Sequence, residues 1–250
     1  MTLSRYAAAA AAVGLIGWLA VASPSRAQDY PFQGLAAMDA MSSLRGSILD
    51  LEANRRDAEG AEGTSSRREA QPRRAAPSSL GFRRDPAVTQ RVHADLVQRV
   101  ARTQPEAARA LAQQLSQRDP LTAATPGLRR FGLDTGDAVD AIAIYFLAMW
   151  GVANNHKPVM TMAQAHGARA HVARSVDFAA LGLDAPAARQ HFAESLIYQG
   201  LLMDAAIEQA QTRGDERLQK TLSDAAQGQM MRMGLDMRRL ALTRAGFIQR

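Results

Sequence analysis

From residue 85 onward, apolar side chains return every three or four positions, the spacing that lines one face of a helix. Val88, Val92, Leu96 and Val100 form the first such stripe. It follows Asp85-Pro86, a capping residue with proline at the first helical position. Gln104-Pro105-Glu106 starts a second helix carrying Leu111 and Leu115, and Asp119-Pro120 starts a short third that ends near Phe131. The fourth is predicted from Asp134 to about Asn154 and is apolar on most sides, which marks it as the central helix of a bundle. Thr161 caps a fifth to about Val176, and Asp184 opens a long sixth to about Arg213. Asp215 caps a seventh, and Asp236 opens a short eighth before Thr243. No stretch sustains the alternation of a strand. The pattern predicts an all-α fold: one bundle-like domain of about seven to eight helices over residues 85–250, preceded by a disordered linker.

The tripeptide Gly-Leu-Asp recurs at 132–134, 182–184 and 234–236. Glycine suits the position just past a helix, where φ is positive, and leucine packs back on the last turn. Aspartate then accepts an orphan N–H at the start of the next helix. Gly132, Gly182 and Gly234 are therefore read as stops, and Asp134, Asp184 and Asp236 as caps. Asp137 falls in the first turn of the fourth helix, where a carboxylate meets the positive end of the helix dipole.

Upstream the pattern changes. Leu35, Met38, Met41, Leu44, Ile48 and Leu51 make a weak helical stripe, so residues 28–56 are read as an amphipathic arm that docks on the domain or on a partner. Residues 57–84 are rich in Gly, Ser, Pro, Arg and Glu, a composition that cannot bury enough surface to offset its ordering entropy. Residues 1–27 carry Arg5, an apolar run from Ala7 to Ala22 and Ser25-Arg26-Ala27, the layout of a secretory signal peptide cleaved after Ala27. The apolar run is short for a membrane span. The expected mature chain has no transmembrane anchor and is periplasmic or secreted. There is no cysteine, so neither a disulfide nor a lipid anchor on cysteine contributes.

Charge refines this picture. The chain has a formal net charge of +6 and a pI near 10.4, which on its face suggests an anionic polymer. Two of those charges sit in the leader, on Arg5 and Arg26. Residues 53–84 supply the other four, eight arginines against four acids. The rest of the chain nets zero, so no specific nucleic-acid site is expected, and attraction to an anionic surface belongs to the basic linker.

Few residues suggest chemistry. Asp140 lies inside the apolar fourth helix and needs a partner there. Arg130, Arg169 and Arg174 are the candidates for a buried ion pair; otherwise Asp140 is a functional carboxylate. His191 and Glu194 share a face of the sixth helix, but the second such pair that a di-metal site requires is missing. Glu194 and Asp204 are about 15 Å apart along one helix, too far for paired-acid glycoside cleavage. No zinc motif, phosphate loop or nucleophile elbow appears, so no metal or cofactor is expected.

Several local patterns carry a resemblance. They are Asp85-Pro86-Ala87-Val88-Thr89, then Gly132-Leu133-Asp134 with Asp137 and Asp140-Ala141, and Tyr145 with Trp150. Gly234-Leu235-Asp236-Met237-Arg238 with Gly246-Phe247 completes them. On these, residues from about Phe82 to Phe247 resemble a family of uncharacterised secreted bacterial proteins that carries only a domain-of-unknown-function label. The resemblance implies a signal peptide, a variable linker and a helical domain, and it transfers no functional residue. Together these readings point to an exported, non-catalytic interaction module with a protein or cell-envelope partner. The alternative is a carboxylate-dependent hydrolase of an envelope polymer, which requires a second carboxylate within about 5–10 Å of Asp140.

Overall fold

Proline fixes the start of four of the helices. In the computed structural model, which describes residues 80–250 except 156–159 and 177, α1 (Pro86–Ala101), α2 (Pro105–Gln117), α3 (Pro120–Arg130) and α6 (Pro186–Thr212) each begin on proline. Its missing N–H is an orphan at that position in any case. The other helices are α4 (Ala138–Ala153), α5 (Met162–Ser175) and α7 (Glu216–Arg232). The all-α expectation holds, with seven α-helices among the described residues. The leader, the arm and the linker up to residue 79 lie outside the described residues.

Helix α4 is the axis of the domain. Every residue from Ala138 to Ala153 is buried except Gly151. It packs most extensively on α6, and also against α5 and α7. Small residues bring α4 and α6 close: a Cβ built on Gly200 would lie 3.2 Å from that of Ala148. Burial of a large apolar side chain contributes about 1.5–3 kcal/mol. Ile142, Ile144 and Met149 of α4 and Leu196 of α6 are each at most 2% exposed, so this contact is the main apolar store of the fold.

The helix starts correct the sequence reading in three places. Gly132 does end α3, with φ +73° and Leu133 donating its N–H to the Leu128 carbonyl. Asp134, however, does not cap α4. Its carboxylate accepts from Gly136 N in a local turn, and Asp137 is the cap, accepting from Val139 N and Asp140 N at 2.8 and 3.2 Å. The reason is the incoming chain. Gly81 pairs with Asp137 as an antiparallel bridge, Phe82 N donates to Gly136 O, and Ala138 N donates to Leu80 O. That pairing holds Asp137 extended, so the helix starts after it. Residues 80–84, assigned to the linker by composition, are thus docked on the domain.

Asp184 is likewise not a cap. Pro186 drives the preceding residue out of the helical region, so Ala185 takes the cap position without a side-chain bond. Gly182 has φ +63°, but it closes a 3₁₀ turn at Phe178–Leu181 that follows α5. The third correction concerns the predicted eighth helix. Asp236 caps a single 3₁₀ turn, Met237–Arg239, which leads into a β-hairpin of β1 (Leu240–Thr243) and β2 (Gly246–Gln249). The strands pair antiparallel with Leu242 opposite Phe247. Four-residue strands are too short to show alternation in the sequence. The hairpin tip rests on α5 at Gly167, where a Cβ would come within 2.5 Å of the Arg244 carbonyl oxygen.

Candidate functional site

The richest polar cluster gathers around Arg84, the last residue before the Asp85 cap. Its Nε donates to Glu194 Oε1 at 2.6 Å, and its Nη1 reaches Asp119 Oδ2 at 2.8 Å and Thr122 Oγ1 at 3.0 Å. Glu194 projects from α6 and is fully buried. Its Oε1 also accepts from Thr89 at 3.1 Å and from Gln190 at 3.0 Å, while Oε2 is buried without a hydrogen bond. Gln190 clamps the chain at the same point: its amide bonds both the N–H and the carbonyl of Asp85 at 2.8 Å. The segment that carries Arg84 is therefore tied to α6 and α3 before α1 begins.

A second chain of hydrogen bonds leads out of the cluster. Tyr198 donates its hydroxyl to Asp119 Oδ1 at 2.6 Å, and His93 Nε2 lies 2.6 Å from the same hydroxyl. Burial works to raise the Asp119 pKa, but bonds from Thr122, Tyr198 and Arg84 outweigh it and hold the carboxyl at about 2. Asp119 is thus ionised at neutral pH and has no proton to donate, so the phenol proton lies on the Asp119 side. His93 must then donate through Nε2–H to the phenol oxygen, which leaves Nδ1 as the proton-free acceptor. Burial lowers the His93 pKa against the pull of Asp119 and Glu194, which fits the neutral ring. Burial and the Asp119 carboxylate together push the Tyr198 phenol up. Burial opposes the charge on Arg84, but hydrogen bonds and attraction from Glu194 and Asp119 outweigh it and raise the guanidinium pKa.

This cluster closes one end of a groove of about 690 Å³ between α1 and α2, which are joined by a short turn. Pro86, Thr89, Gln90, His93, Ala94 and Val97 line the α1 wall, a face set by i, i+3 and i+4 spacing. Ala112, Leu115 and Ser116 line the α2 wall, with Arg84 and Asp119 at the polar end. The groove mixes apolar and polar side chains along its walls and is charged at one end, a common arrangement for recognition.

The sequence matches one known family along nearly its whole length. The chain belongs to the family of unknown function DUF6683. The match covers residues 19–250, so it takes in the arm and linker as well as the helical domain. No curated protein and no solved structure matches the chain.

Within this DUF6683 chain, most residues singled out from sequence prove to be internal fastenings. Asp140 is 3% exposed and pairs with Arg169 Nε of α5, and its Oδ2 accepts from Asp134 N at 2.8 Å. Burial raises its pKa, and the Asp134 N–H and Arg169 only partly offset that. Asp137 is the α4 cap. Tyr145, fully buried, accepts a 2.5 Å bond from Gln229 of α7, and burial pushes its phenol up. Trp150 donates its indole N–H to the Leu240 carbonyl at 2.9 Å and so fastens the hairpin to α4. His191 meets Asp95 of α1 at 2.9 Å on the surface and does not join Glu194. Among the described residues no three His, Asp or Glu side chains converge as metal ligands, and no helix is long and apolar enough to cross a membrane.

Glu194 alone among the predicted candidates lies in the cluster. Arg84, His93, Asp119, Gln190 and Tyr198 were missed. Asp119 and Arg84 carried a local meaning, as a helix cap and a linker charge, that hid their shared one. A helix-wheel signal did exist: Gln190, Glu194 and Tyr198 are spaced by four on α6, a polar stripe on a helix that is otherwise largely buried.

Proposed function

We propose that this chain is an exported, non-catalytic interaction module of the cell envelope, periplasmic or secreted, whose recognition surface is the groove between α1 and α2. The observation that carries the reading is the groove itself, lined by apolar side chains interleaved with Thr89, Gln90, His93 and Ser116 and ended by a cluster whose carboxylates are engaged by Arg84. The leader pattern of residues 1–27 supports export. The apolar part of the groove lining, Pro86, Ala94, Val97, Ala112 and Leu115, favours a protein partner presenting apolar side chains. The basic linker adds salt-sensitive attraction to anionic surfaces.

The hydrolase alternative is less well supported. An acid catalyst must hold a proton near its working pH. Asp119 titrates at about 2, and Asp140 is closed off by Arg169 and the Asp134 N–H. The test is retention of the purified chain on isolated envelope material. Ala112→Trp, which fills the groove without touching the polar cluster, is expected to lower retention at least tenfold. Deleting residues 28–79 is expected to flatten its salt dependence. Unchanged retention of Ala112→Trp overturns the groove as the recognition surface.

A further inference from the structure

His93 sits where the polar cluster meets the groove, and among the described residues its ring is bonded through Nε2 alone. That nitrogen lies 2.6 Å from the Tyr198 hydroxyl, and the two rings meet edge-on with centroids 5.0 Å apart. The rest of the network fixes the direction of the bond. Asp119 Oδ1 accepts from Leu121 N at 2.9 Å and from Tyr198 at 2.6 Å, while Oδ2 accepts from Thr122 at 2.6 Å and pairs with Arg84 at 2.8 Å. Arg84 Nη2 also donates to the Tyr198 oxygen, at 3.4 Å. The single phenol proton goes to Asp119, so the Tyr198 oxygen accepts from His93. The opposite tautomer, with a bare Nε2, sets two lone pairs against each other. Nδ1 is therefore held proton-free, and it is the nitrogen left to the groove that His93 lines. Ala94 and Val97 follow His93 along the α1 wall, and Ala112 and Leu115 line the α2 wall.

We infer that His93 is the residue that reads the partner: its Nδ1 accepts one N–H from a peptide segment whose neighbouring apolar side chain fills the space between Ala94, Val97, Ala112 and Leu115. This rests on the groove being the recognition surface proposed above, and it adds a chemical requirement to that surface. An apolar group brought against Nδ1 displaces water and leaves the acceptor unpaired, which weakens binding roughly five- to hundredfold. An N–H in the same place replaces the lost bond to water. A neutral amide suits the site because the two charged lining residues, Arg84 and Asp119, are already paired with each other. His93 and Val97 are one helical turn apart, about 6 Å, comparable with the reach from a backbone N–H to the end of its own side chain. Protonation removes the requirement, because a charged ring carries N–H at both nitrogens and Nδ1 turns from acceptor to donor. The groups facing His93 are Arg84 from the entry segment, Asp119 at the start of α3, and Glu194 and Tyr198 from α6. The α2 wall offers Ala112, Leu115 and Ser116, none of which titrates. Burial, helped by Arg84, holds the His93 pKa below 6.5 against Asp119 and Glu194, so recognition holds at neutral pH and fails on acidification.

The test is an NMR titration of the full chain, with isotope-labelled histidine nitrogens, by a matched pair of probes. One probe is N-acetyl-leucine N-methylamide; in the other, oxygen replaces both N–H groups. Before any addition, the His93 ring is expected to carry its proton on Nε2 at neutral pH. The amide probe is expected to move the Nδ1 resonance together with the backbone amides of Val97 and Leu115. It is expected to bind at least about fivefold more tightly than its oxygen counterpart, which leaves Nδ1 unmoved. Tyr198→Phe, which frees the tautomer, is expected to lower that ratio, and Ala112→Trp to abolish binding of both probes. On envelope material, His93→Phe is expected to lose retention by a similar factor. A proton on Nδ1, failure of the amide probe to bind, equal binding of the two probes, or unchanged retention of His93→Phe overturns the inference. Shifts at His93 that grow with protein concentration before any probe is added assign the N–H to a second copy and overturn an external partner. If the probes bind alike while Ala112→Trp still lowers envelope retention, the inference falls and the proposed function stands. If His93 selects the amide probe yet Ala112→Trp leaves retention unchanged, His93 reads an N–H in the groove and the proposed function falls.

Discussion

Two buried carboxylate–arginine arrangements sit in this domain, and they do different work. At the start of α4, Asp140 meets one arginine, Arg169, and one backbone N–H, and both its oxygens are engaged. At the start of α1, one guanidinium serves two carboxylates, one oxygen of Glu194 has no hydrogen bond, and a tyrosine–histidine chain runs to a groove. The first is balanced and closed, so its task is to fix how α5 sits on α4. The second sets two carboxyl groups against one arginine and connects to an open surface, which makes it the candidate for recognition. The contrast shows in titration: burial wins at Asp140 and raises its pKa, whereas hydrogen bonds win at Asp119 and hold it at about 2.

Arg84→Ala tests the difference most severely. It strands Glu194, fully buried, with no counter-charge, and is expected to cost about 3–5 kcal/mol in urea unfolding. Adding Glu194→Gln to that variant is expected to restore part of the loss. Arg169→Ala is expected to cost less, about 1–3 kcal/mol, because Asp140 keeps the Asp134 N–H and lies in the first turn of α4 near the positive dipole end. Equal losses for the two arginines would erase the distinction between the two sites.

The pH dependence sharpens it further. Asp119 has a depressed folded pKa, so its contribution is present above 3.8 and is lost as pH falls from 3.8 to about 2. After allowance for solvent screening at this partly exposed site, the change is about 1–2 kcal/mol. Asp140 has a raised folded pKa, so its titration acts the other way and favours the folded state as pH falls toward 3.8. Unfolding free energies measured from pH 2 to 6 should therefore show opposite pH trends in the wild-type-minus-variant difference for Asp119→Asn and Asp140→Asn. Parallel trends would show that the two sites share one electrostatic character. Trp150→Phe is the smallest change, about 1 kcal/mol, and is expected to speed hydrogen exchange in β1 while leaving the groove untouched.

The sequence was informative where the causes are local. Proline after a capping residue placed α1 and α3, Thr161 and Asp215 capped α5 and α7, and the unbroken apolar run made α4 central. It misled where a distant segment decided the outcome. The α4 cap moved from Asp134 to Asp137 because Gly81 pairs there, and no local pattern records that pairing. The candidate site was hidden for the same reason. Arg84, Asp119 and Glu194 are separated by the lengths of several helices and come together only through the packing of α1 and α3 on α6.

The most direct test of the central claim sets the two regions against each other in one assay. Retention on envelope material is measured for Ala112→Trp and Asp140→Asn, each first shown to be folded by circular dichroism. The expected result is a loss of at least tenfold for Ala112→Trp and wild-type retention for Asp140→Asn. Loss of retention in Asp140→Asn, with Ala112→Trp unaffected, would place recognition at the α4 carboxylate and contradict the account.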